Sequence, residues 1–309
     1  MLGSVLLAAS RSPRVRRLVS GVPVTRSVVD RFVAGDSRAD AIAATKRLAE
    51  SGLDVTLDHL GEETRDAEAA AATARAYGEL LRDLAGLGLG TRAEVSVKLS
   101  AVGQALGADG DKIALEHARE ICVAAKEAGT TVTLDMEDHT TVDSTLEILH
   151  ALREDFPDTG VAIQSYLFRS ESDCRDLSHA GSRVRLVKGA YAEPASVAYQ
   201  DKREVDAAYV RCLRILMDGA GYPMIGSHDG RLIAIAGLLA RDAGRSRDSW
   251  EYQMLYGIRA DEQRDLAREG FGMRVYVPYG DDWYGYFMRR LAERPANVGF
   301  FLRALVSRG

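Results

Sequence analysis

Residues 93–100 read AEVSVKLS, a short run rich in β-branched residues that ends in polar side chains. Seven further runs of this kind recur along the chain, with longer helical patterns between them. The full set is LDVTLDHL (53–60), AEVSVKLS (93–100), TTVTLDMED (130–138), VAIQSYLF (161–168), RVRLVKGAY (183–191), YPMIGSHD (222–229), WEYQMLYG (250–257) and MRVYVPYG (273–280). Strands that alternate with helices at intervals of about 20–40 residues are typical of βα units around a parallel sheet.

Eight such units predict an α/β fold of the (βα)8 TIM-barrel type. We expect residues 1–50 to form an N-terminal helical arm and residues 51–309 to form the barrel as a single catalytic domain. An open, doubly wound sheet of eight strands is the alternative architecture. In a barrel, functional groups lie at the carboxyl ends of the strands, so the polar residues there are the candidate site.

Composition narrows the class of protein. The chain has 309 residues and a net charge of −5, and it lacks a basic stripe, so nucleic-acid binding is not expected. The three cysteines (Cys122, Cys174 and Cys212) are scattered without a C-x-x-C pair, which fits a reducing compartment. The apolar run near the N-terminus is far shorter than the ~20 residues that span a bilayer. We therefore expect a cytoplasmic protein whose N-terminal run forms a packed or interfacial helix.

Charged residues interrupt two of the predicted strands. Lys98 lies within VSVKLS and Arg185 within RVRLVKG, where burial without partners would be costly. Each alone fits a structural ion pair, but together at one barrel mouth they favour an anionic ligand. The glycine-rich GLGLG (86–90) precedes a strand and lacks the dinucleotide-binding spacing, and the six histidines show no metal-ligand spacing. We expect no metal site.

The stretch DDWYGYFMRRLAERPAN (281–297) predicts a helix with two distinct faces. Tyr286, Arg289, Arg290 and Glu293 recur on a polar face, whereas Trp283, Phe287 and Leu291 recur on an apolar face. The polar face has two interpretations. It is either a solvated surface with weak ion pairs or a pair of guanidinium groups that binds a carboxylate or phosphate bidentately.

Nine motifs, taken in order, resemble the proline dehydrogenase family. They are DHLGEE, SVKLS, LDMED, IQSYLFR, RLVKGAY, GSHDG, EYQMLYG, VYVPYG and YFMRRLAERPAN, and they cover roughly residues 50–300. The resemblance implies a distorted (βα)8 barrel that binds FAD, with the last helix covering the barrel mouth. It also implies oxidation of L-proline to Δ1-pyrroline-5-carboxylate, a quinone as electron acceptor, and peripheral contact with the inner face of the cell membrane.

The same resemblance implies roles for individual residues. The catalytic set would be Lys98, Asp135, Tyr276, Arg289 and Arg290, with Lys98 and the two arginines binding the proline carboxylate and Asp135 balancing their charge. The walls around the proline ring would be Tyr191, Leu255, Tyr256 and Tyr276. The residues that bind FAD would be Gln164, Arg185, Lys188, Gly189, Ser227, His228, Gln253 and Glu293. Glu62 would pair with Arg289 as a gate when the site closes.

Three positions depart from the family pattern, and two other functions remain open. Ser227 and Asp229 stand where Thr and Asn are frequent, and Ala192 stands in place of a frequent Trp. A Schiff-base aldolase on the same barrel would use Lys98 or Lys188 as its nucleophile. A barrel that binds amino acids without catalysis is the third interpretation.

Overall fold

A computed structural model describes residues 29–61, 64 and 66–293 of the chain, with side chains described through residue 288. Within these ranges eight strands form a closed parallel barrel in which each strand pairs with the next and β8 pairs with β1. The strands are β1 Asp54–His59, β2 Ala93–Lys98, β3 Val132–Asp135, β4 Gly160–Gln164, β5 Arg183–Val187, β6 Tyr222–Gly226, β7 Glu251–Leu255 and β8 Gly272–Tyr279. The predicted TIM-type barrel is confirmed, and the open doubly wound sheet is wrong.

Helices lie outside this barrel and at its mouth. The α-helices among the described residues are α1 Arg38–Glu50, α2 Ala67–Ala85, α3 Gly110–Glu127, α4 Val142–Arg153, α5 Ser170–Asp176, α6 Lys202–Asp218, α7 Gly230–Asp242, α8 Ala260–Arg268 and α9 Trp283–Glu293. Side-chain caps fix several starts, as at α1, where Ser37 and Asp40 form a reciprocal capping box. None of these helices within the described ranges is both long and apolar enough to cross a membrane.

Most strands end earlier than the sequence pattern suggests. The run TTVTLDMED continues to residue 138, but β3 ends at Asp135 and pairs with β4 at only two positions, Thr133 with Gly160 and Leu134 with Val161. Beyond that point the chain turns over the mouth, where Gln164 Nε2 donates to the Glu137 carbonyl at 2.6 Å. Apolar residues that follow the strand ends therefore form loops at the site instead of extending the sheet.

Helix α1 covers the seam of the barrel between β8 and β1. Its buried face consists of Ala41, Ala44 and Thr45, which are small enough to let the helix approach both strands closely. In a regular barrel the helix after the last strand occupies this position. Because α1 fills it, α9 is free to pack at the mouth instead. The proposed boundary at residue 50 stays a prediction.

The strands alternate between an apolar outer face and a polar inner face. In β2, Val95 and Val97 point toward the helices and are fully buried, whereas Glu94, Ser96 and Lys98 point into the barrel. TIM-barrel interiors are commonly filled by layers of branched aliphatic side chains. Here the interior is built largely from ion pairs and hydrogen bonds, and the hydrophobic core lies between the strands and the surrounding helices.

Candidate active site

A cavity of about 550 Å³ lies at the carboxyl ends of the strands. Both charged and apolar side chains line it: Lys98, Asp135, Met136, Ala162, Gln164, Arg185, Val187, Lys188, Gly189, Ala190, Tyr191, Gly226, Ser227, His228, Asp229, Gln253, Met254, Leu255, Tyr276 and Tyr286. Ligand pockets typically combine an apolar lining with a few convergent polar groups, and the volume falls in their usual range. This cavity is where the structure gathers most of the residues that the sequence singled out.

Asp135, at the end of β3, is the acceptor around which the charged groups are arranged. Its Oδ1 accepts from Arg185 Nη1 at 2.6 Å and from Ser96 Oγ at 2.7 Å. Its Oδ2 accepts from Tyr276 OH at 2.6 Å and from Lys98 Nζ at 3.2 Å. With both oxygens engaged, the carboxylate is fixed in one orientation and holds two cations and a phenol in place.

Lys98 donates to three neighbours, which matches the three N–H groups of an ammonium. Its Nζ lies 2.7 Å from Asp58 Oδ2 and 3.2 Å from both Asp135 Oδ2 and Tyr276 OH. To bind an incoming carboxylate directly, Lys98 has to exchange one of these bonds. In the arrangement described here it acts mainly as a fixed positive charge at the floor of the mouth.

The two carboxylates beside Lys98 differ in their titration. Burial alone would raise the pKa of Asp135, but Lys98 and Arg185 outweigh it and lower that pKa. Burial raises the pKa of Asp58 above its usual value, and repulsion from Asp135 adds to this effect. Burial, together with the same two carboxylates, raises the pKa of Tyr276 well above its usual value. Tyr276 therefore stays protonated and donates a hydrogen bond to Asp135.

A chain of polar contacts connects the cavity to the interior of the barrel. Arg185 Nε donates to Gln253 Oε1 at 2.6 Å, and Gln253 Nε2 donates to Glu251 Oε1 at 2.6 Å. Glu251 in turn binds Arg274 Nε at 2.8 Å. The amide of Gln253 is thus oriented from both sides, which fixes the guanidinium of Arg185 at the cavity wall.

Glu94 is the fully buried counter-ion of the inner layer. Its carboxylate lies 2.7 Å from Arg183 Nη2, 3.7 Å from Arg185 Nη2 and 3.9 Å from Arg274 Nε. Burial would raise its pKa, but the three guanidinium groups outweigh that effect and lower the pKa of Glu94 to about 2. Glu94 is therefore ionised and is a counter-ion shared by three guanidinium groups.

Lys188 brings a second group of charges to the outer rim of the cavity. Its Nζ lies 2.5 Å from Asp206 on α6 and 3.4 Å from Asp229, which caps the start of α7. Lys202 and Arg231 bind the same carboxylates from the exposed side. Three cations thus face two carboxylates, and the surplus positive charge lies beside a helix N-terminus, a favourable place for an anion such as a phosphate.

Backbone contacts orient the other polar groups of the wall. The Leu255 N–H donates to His228 Nε2 at 2.9 Å, so the ring proton of a neutral His228 lies on Nδ1. Gly189 has φ +115°, and a Cβ there would lie 2.3 Å from the ring of Tyr166. A Cβ at Gly226 would lie 2.8 Å from Val187 Cγ1. Glycine at these two positions lets the Tyr166 ring and the Val187 side chain pack directly against the backbone of the wall.

The cavity gathers most of the predicted site residues, with three kinds of exception. Tyr256 does not line it; its side chain packs against the core and its N–H donates to the Tyr276 carbonyl at 2.9 Å. Arg289, Arg290 and Glu293 belong to α9, but their side chains lie outside the described residues. Glu62 also lies outside the described residues. Tyr286, on the predicted polar face of α9, does line the cavity.

The sequence interpretation missed the supporting residues inside the barrel. Ser96 and Glu251 orient Asp135 and Gln253, yet neither was singled out. The signal was present as a period of two: Glu94, Ser96 and Lys98 alternate with valines along β2. A strand that is polar at every second position and buried on both faces indicates a barrel with a polar interior.

A closed (βα)8 barrel with a charged cavity at the carboxyl ends of its strands defines the class of α/β-barrel enzymes. Residues 41–303 match the family described as proline dehydrogenase, and the chain belongs to that family. "Proline dehydrogenase 1" of Bacillus subtilis (strain 168) is 38% identical over 308 residues, which covers 100% of both chains. "Proline dehydrogenase" of Deinococcus radiodurans is 41% identical over 305 residues, or 98% of this chain and 97% of the relative.

Among solved structures, proline utilization A (PutA) from Bdellovibrio bacteriovorus, inactivated by N-propargylglycine, has the same barrel. The TM-score is 0.79 at 27% identity over 86% of this chain and 32% of that one, so this chain spans about a third of that larger protein. Family and full-length relatives together identify an oxidoreductase of the proline dehydrogenase class. The predicted enzyme class is confirmed.

Proposed function

We propose that this enzyme binds FAD in the mouth cavity and oxidises L-proline to Δ1-pyrroline-5-carboxylate, with a quinone as the electron acceptor. The observation that carries the proposal is the cluster of Lys98, Asp135, Arg185 and Tyr276 at the cavity of a chain that belongs to the proline dehydrogenase family. When bound, FAD supplies the acceptor for the hydride that leaves the proline ring.

The cavity fits such a cofactor by the chemistry of its donors. The guanidinium of Arg185 and the amides of Gln164 and Gln253 offer hydrogen bonds to ring carbonyls and nitrogens. Lys188 and the start of α7 provide the positive environment that a diphosphate needs. Gly189, Ser227, His228 and Glu293 complete the proposed set.

The proline carboxylate is the one strong handle on a substrate whose remaining ring is apolar. We assign it to Arg289 and Arg290, whose planar forks match a carboxylate, with Lys98 as the third positive charge. Tyr191, Leu255 and Tyr276 form the proposed walls for the ring, and Glu62 would pair with Arg289 to close the site. Fixing the ring in a near-attack orientation is the main contribution of these residues to the rate.

The proline amine has to be neutral before the ring carbon can lose a hydride, because the product is an imine. The fixed cations of the mouth disfavour a further positive charge on the substrate amine and so lower the pKa of the bound ammonium group. Asp135 partly offsets the charges of Lys98 and Arg185, which limits their repulsion of the substrate amine. Water exclusion upon closure of the mouth strengthens each of these contacts.

The Schiff-base aldolase is not favoured. A nucleophilic lysine must be neutral, and such lysines usually lie in apolar pockets or beside other cations. Lys98 instead forms ion pairs with Asp58 and Asp135, and Lys188 with Asp206 and Asp229. The family match likewise argues against a barrel that only binds amino acids.

An absorbance spectrum before and after anaerobic addition of proline tests the proposal. We expect a yellow protein whose flavin band bleaches with proline and recovers when a soluble quinone is added. Tetrahydro-2-furoate, which has the ring and the carboxylate but oxygen in place of nitrogen, should inhibit competitively without bleaching the band. A colourless protein, or trapping of a carbonyl compound on Lys98 or Lys188 by borohydride, would overturn the assignment.

A further inference from the structure

A second hydrophobic cluster lies at the barrel mouth, separate from the main core. The residues before α1 contribute Val29, Phe32 and Val33, the mouth loops contribute Leu60 and Ile258, and α9 contributes Trp283, Tyr284, Tyr286, Phe287 and Met288. We call residues 29–35 the mouth strap. Both Phe32 and Phe287 are almost completely buried in this cluster. The strap and α9 thus bury their apolar side chains in one common cluster.

Backbone hydrogen bonds attach the strap to the end of β8. The Ala34 N–H donates to the Pro278 carbonyl at 2.9 Å, and the Gly280 N–H donates to the Gly35 carbonyl at 3.0 Å. These bonds hold the strap at the point where the chain leaves the barrel and enters α9. The position of α9 therefore depends on residues more than 200 positions away in sequence.

Gly257, in the loop between β7 and α8, makes the closest approach to the strap. Its φ is +72°, and a Cβ at this position would lie 1.6 Å from the Arg31 carbonyl oxygen. No side chain larger than hydrogen is compatible with that contact. Leu255, two residues earlier, lines the cavity, so the strap also touches the loop that forms one wall of the site.

We infer that the mouth strap positions α9 for substrate binding, through the packing of Phe32 in the shared cluster and through the contact of the strap with Gly257. Proline affinity then depends on a segment outside the barrel. Neither Phe32 nor Gly257 lines the cavity, whereas Tyr286 on α9 does. The inference rests on the proposed function, because α9 also carries the proposed carboxylate ligands Arg289 and Arg290. If the strap is displaced, fewer molecules hold α9 in the binding position, and the apparent affinity falls in proportion.

Gly257→Ala tests this with Gly244→Ala as its matched control. Gly244 has a similar φ of +67°, but a Cβ there meets nothing within 4 Å, so the control carries the backbone strain without the clash. We expect Gly257→Ala to raise the KM for proline and the Ki of tetrahydro-2-furoate by the same factor, at least about fivefold, with the flavin content unchanged. The amides of Ala34 and Gly280 should also exchange their hydrogens faster, and Gly244→Ala should leave all of these measurements unchanged.

A second variant keeps the test independent of folding. Phe32→Leu loosens the same cluster without a left-handed residue, and Phe156→Leu makes the same change at a residue that packs against the main core. Values of KM and Ki within about twofold of the two controls would overturn the inference. If the wild-type protein neither oxidises proline nor binds tetrahydro-2-furoate, the proposed function fails instead. Amide exchange at Ala34 and Gly280 would still report whether the strap is attached as described.

Discussion

Tyr276 donates its phenolic hydrogen to Asp135 Oδ2 at 2.6 Å, although β8 and β3 lie three strands apart around the barrel. The bond crosses the floor of the mouth, and Lys98 donates to both of its partners. The ring of Tyr276 also lies beneath the guanidinium of Arg185, with 5.4 Å between the ring centre and Cζ. Because Tyr276 contacts a carboxylate and two cations, a change at its hydroxyl alters the arrangement of charged groups at the site.

Removing this hydroxyl should therefore impair catalysis without opening the wall. We expect Tyr276→Phe to lower kcat/KM for proline by about 10-fold or more, since a hydrogen bond to a charged group contributes roughly 1.5–3 kcal/mol. Tyr222→Phe is the matched control, because Tyr222 donates to the Glu251 carboxylate at 3.2 Å and does not line the cavity. Steady-state oxidation with a dye acceptor measures both variants. Equal kinetics in the two would remove Tyr276 OH from the mechanism.

The two arginines of α9 give the second prediction, which still rests on the sequence. Arg289→Lys and Arg290→Lys keep the charge but lose the planar fork, so each should lower kcat/KM about 10- to 150-fold with flavin still bound. Arg264→Lys provides the comparison, since Arg264 forms an exposed ion pair with Asp261 on α8 and such pairs contribute ~0–1 kcal/mol. Wild-type kinetics in both α9 variants would instead support the interpretation that these arginines lie on a solvated surface.

The assignment of Lys188 to the cofactor can be tested by comparison with Lys202, because both lysines bind the same carboxylate. Both bind Asp206, at 2.5 Å and 2.7 Å, but only Lys188 lines the cavity. We expect Lys188→Met to weaken FAD binding by about 10-fold or more, because the proposed charge-assisted contact to a phosphate would be lost, whereas Lys202→Met should bind FAD normally. Titration of the apoprotein with FAD measures both affinities. The same affinity in both variants would place the phosphate site elsewhere.

Glu94 should make the stability of the protein sensitive to acid. Its pKa is lowered from a usual 4.5 to about 2 in the folded state. Above pH 4.5 this stabilisation is fully present, and it is lost as the pH falls toward 2 because the unfolded chain binds the proton first. The corresponding loss is on the order of 3 kcal/mol.

Urea unfolding followed by circular dichroism, repeated between about pH 2 and pH 6, measures this contribution. Glu94→Gln should be less stable at neutral pH, since three guanidinium groups lose their shared counter-ion, and its stability should depend less on pH in the acid range. Glu120→Gln, on the exposed side of α3, should follow the wild-type curve. A Glu94→Gln curve parallel to wild type would show that other carboxylates cause the acid sensitivity.

Much of the architecture was predictable from the chain alone. Eight β-branched runs separated by helical stretches indicate a barrel, because local backbone preference and hydrophobic periodicity are properties of neighbouring residues. Strand ends were less predictable. Tyr166 and Leu167 belong to the predicted run 161–168, but β4 ends at Gln164, since pairing depends on where the neighbouring strands stop.

The sequence by itself determined the order of the strands, the family motifs and the residue types at the mouth. Only the tertiary structure decided how those residues are paired. Tyr276 and Asp135 are 141 positions apart, and Lys98 and Asp58 are 40 positions apart, so nothing in the local pattern specifies either contact. Closure of the barrel brings these strand ends together, and burial then makes each polar group depend on a specific partner. The contact of Gly257 with Arg31 arises in the same way, because these residues are 226 positions apart in sequence and meet only in the folded chain.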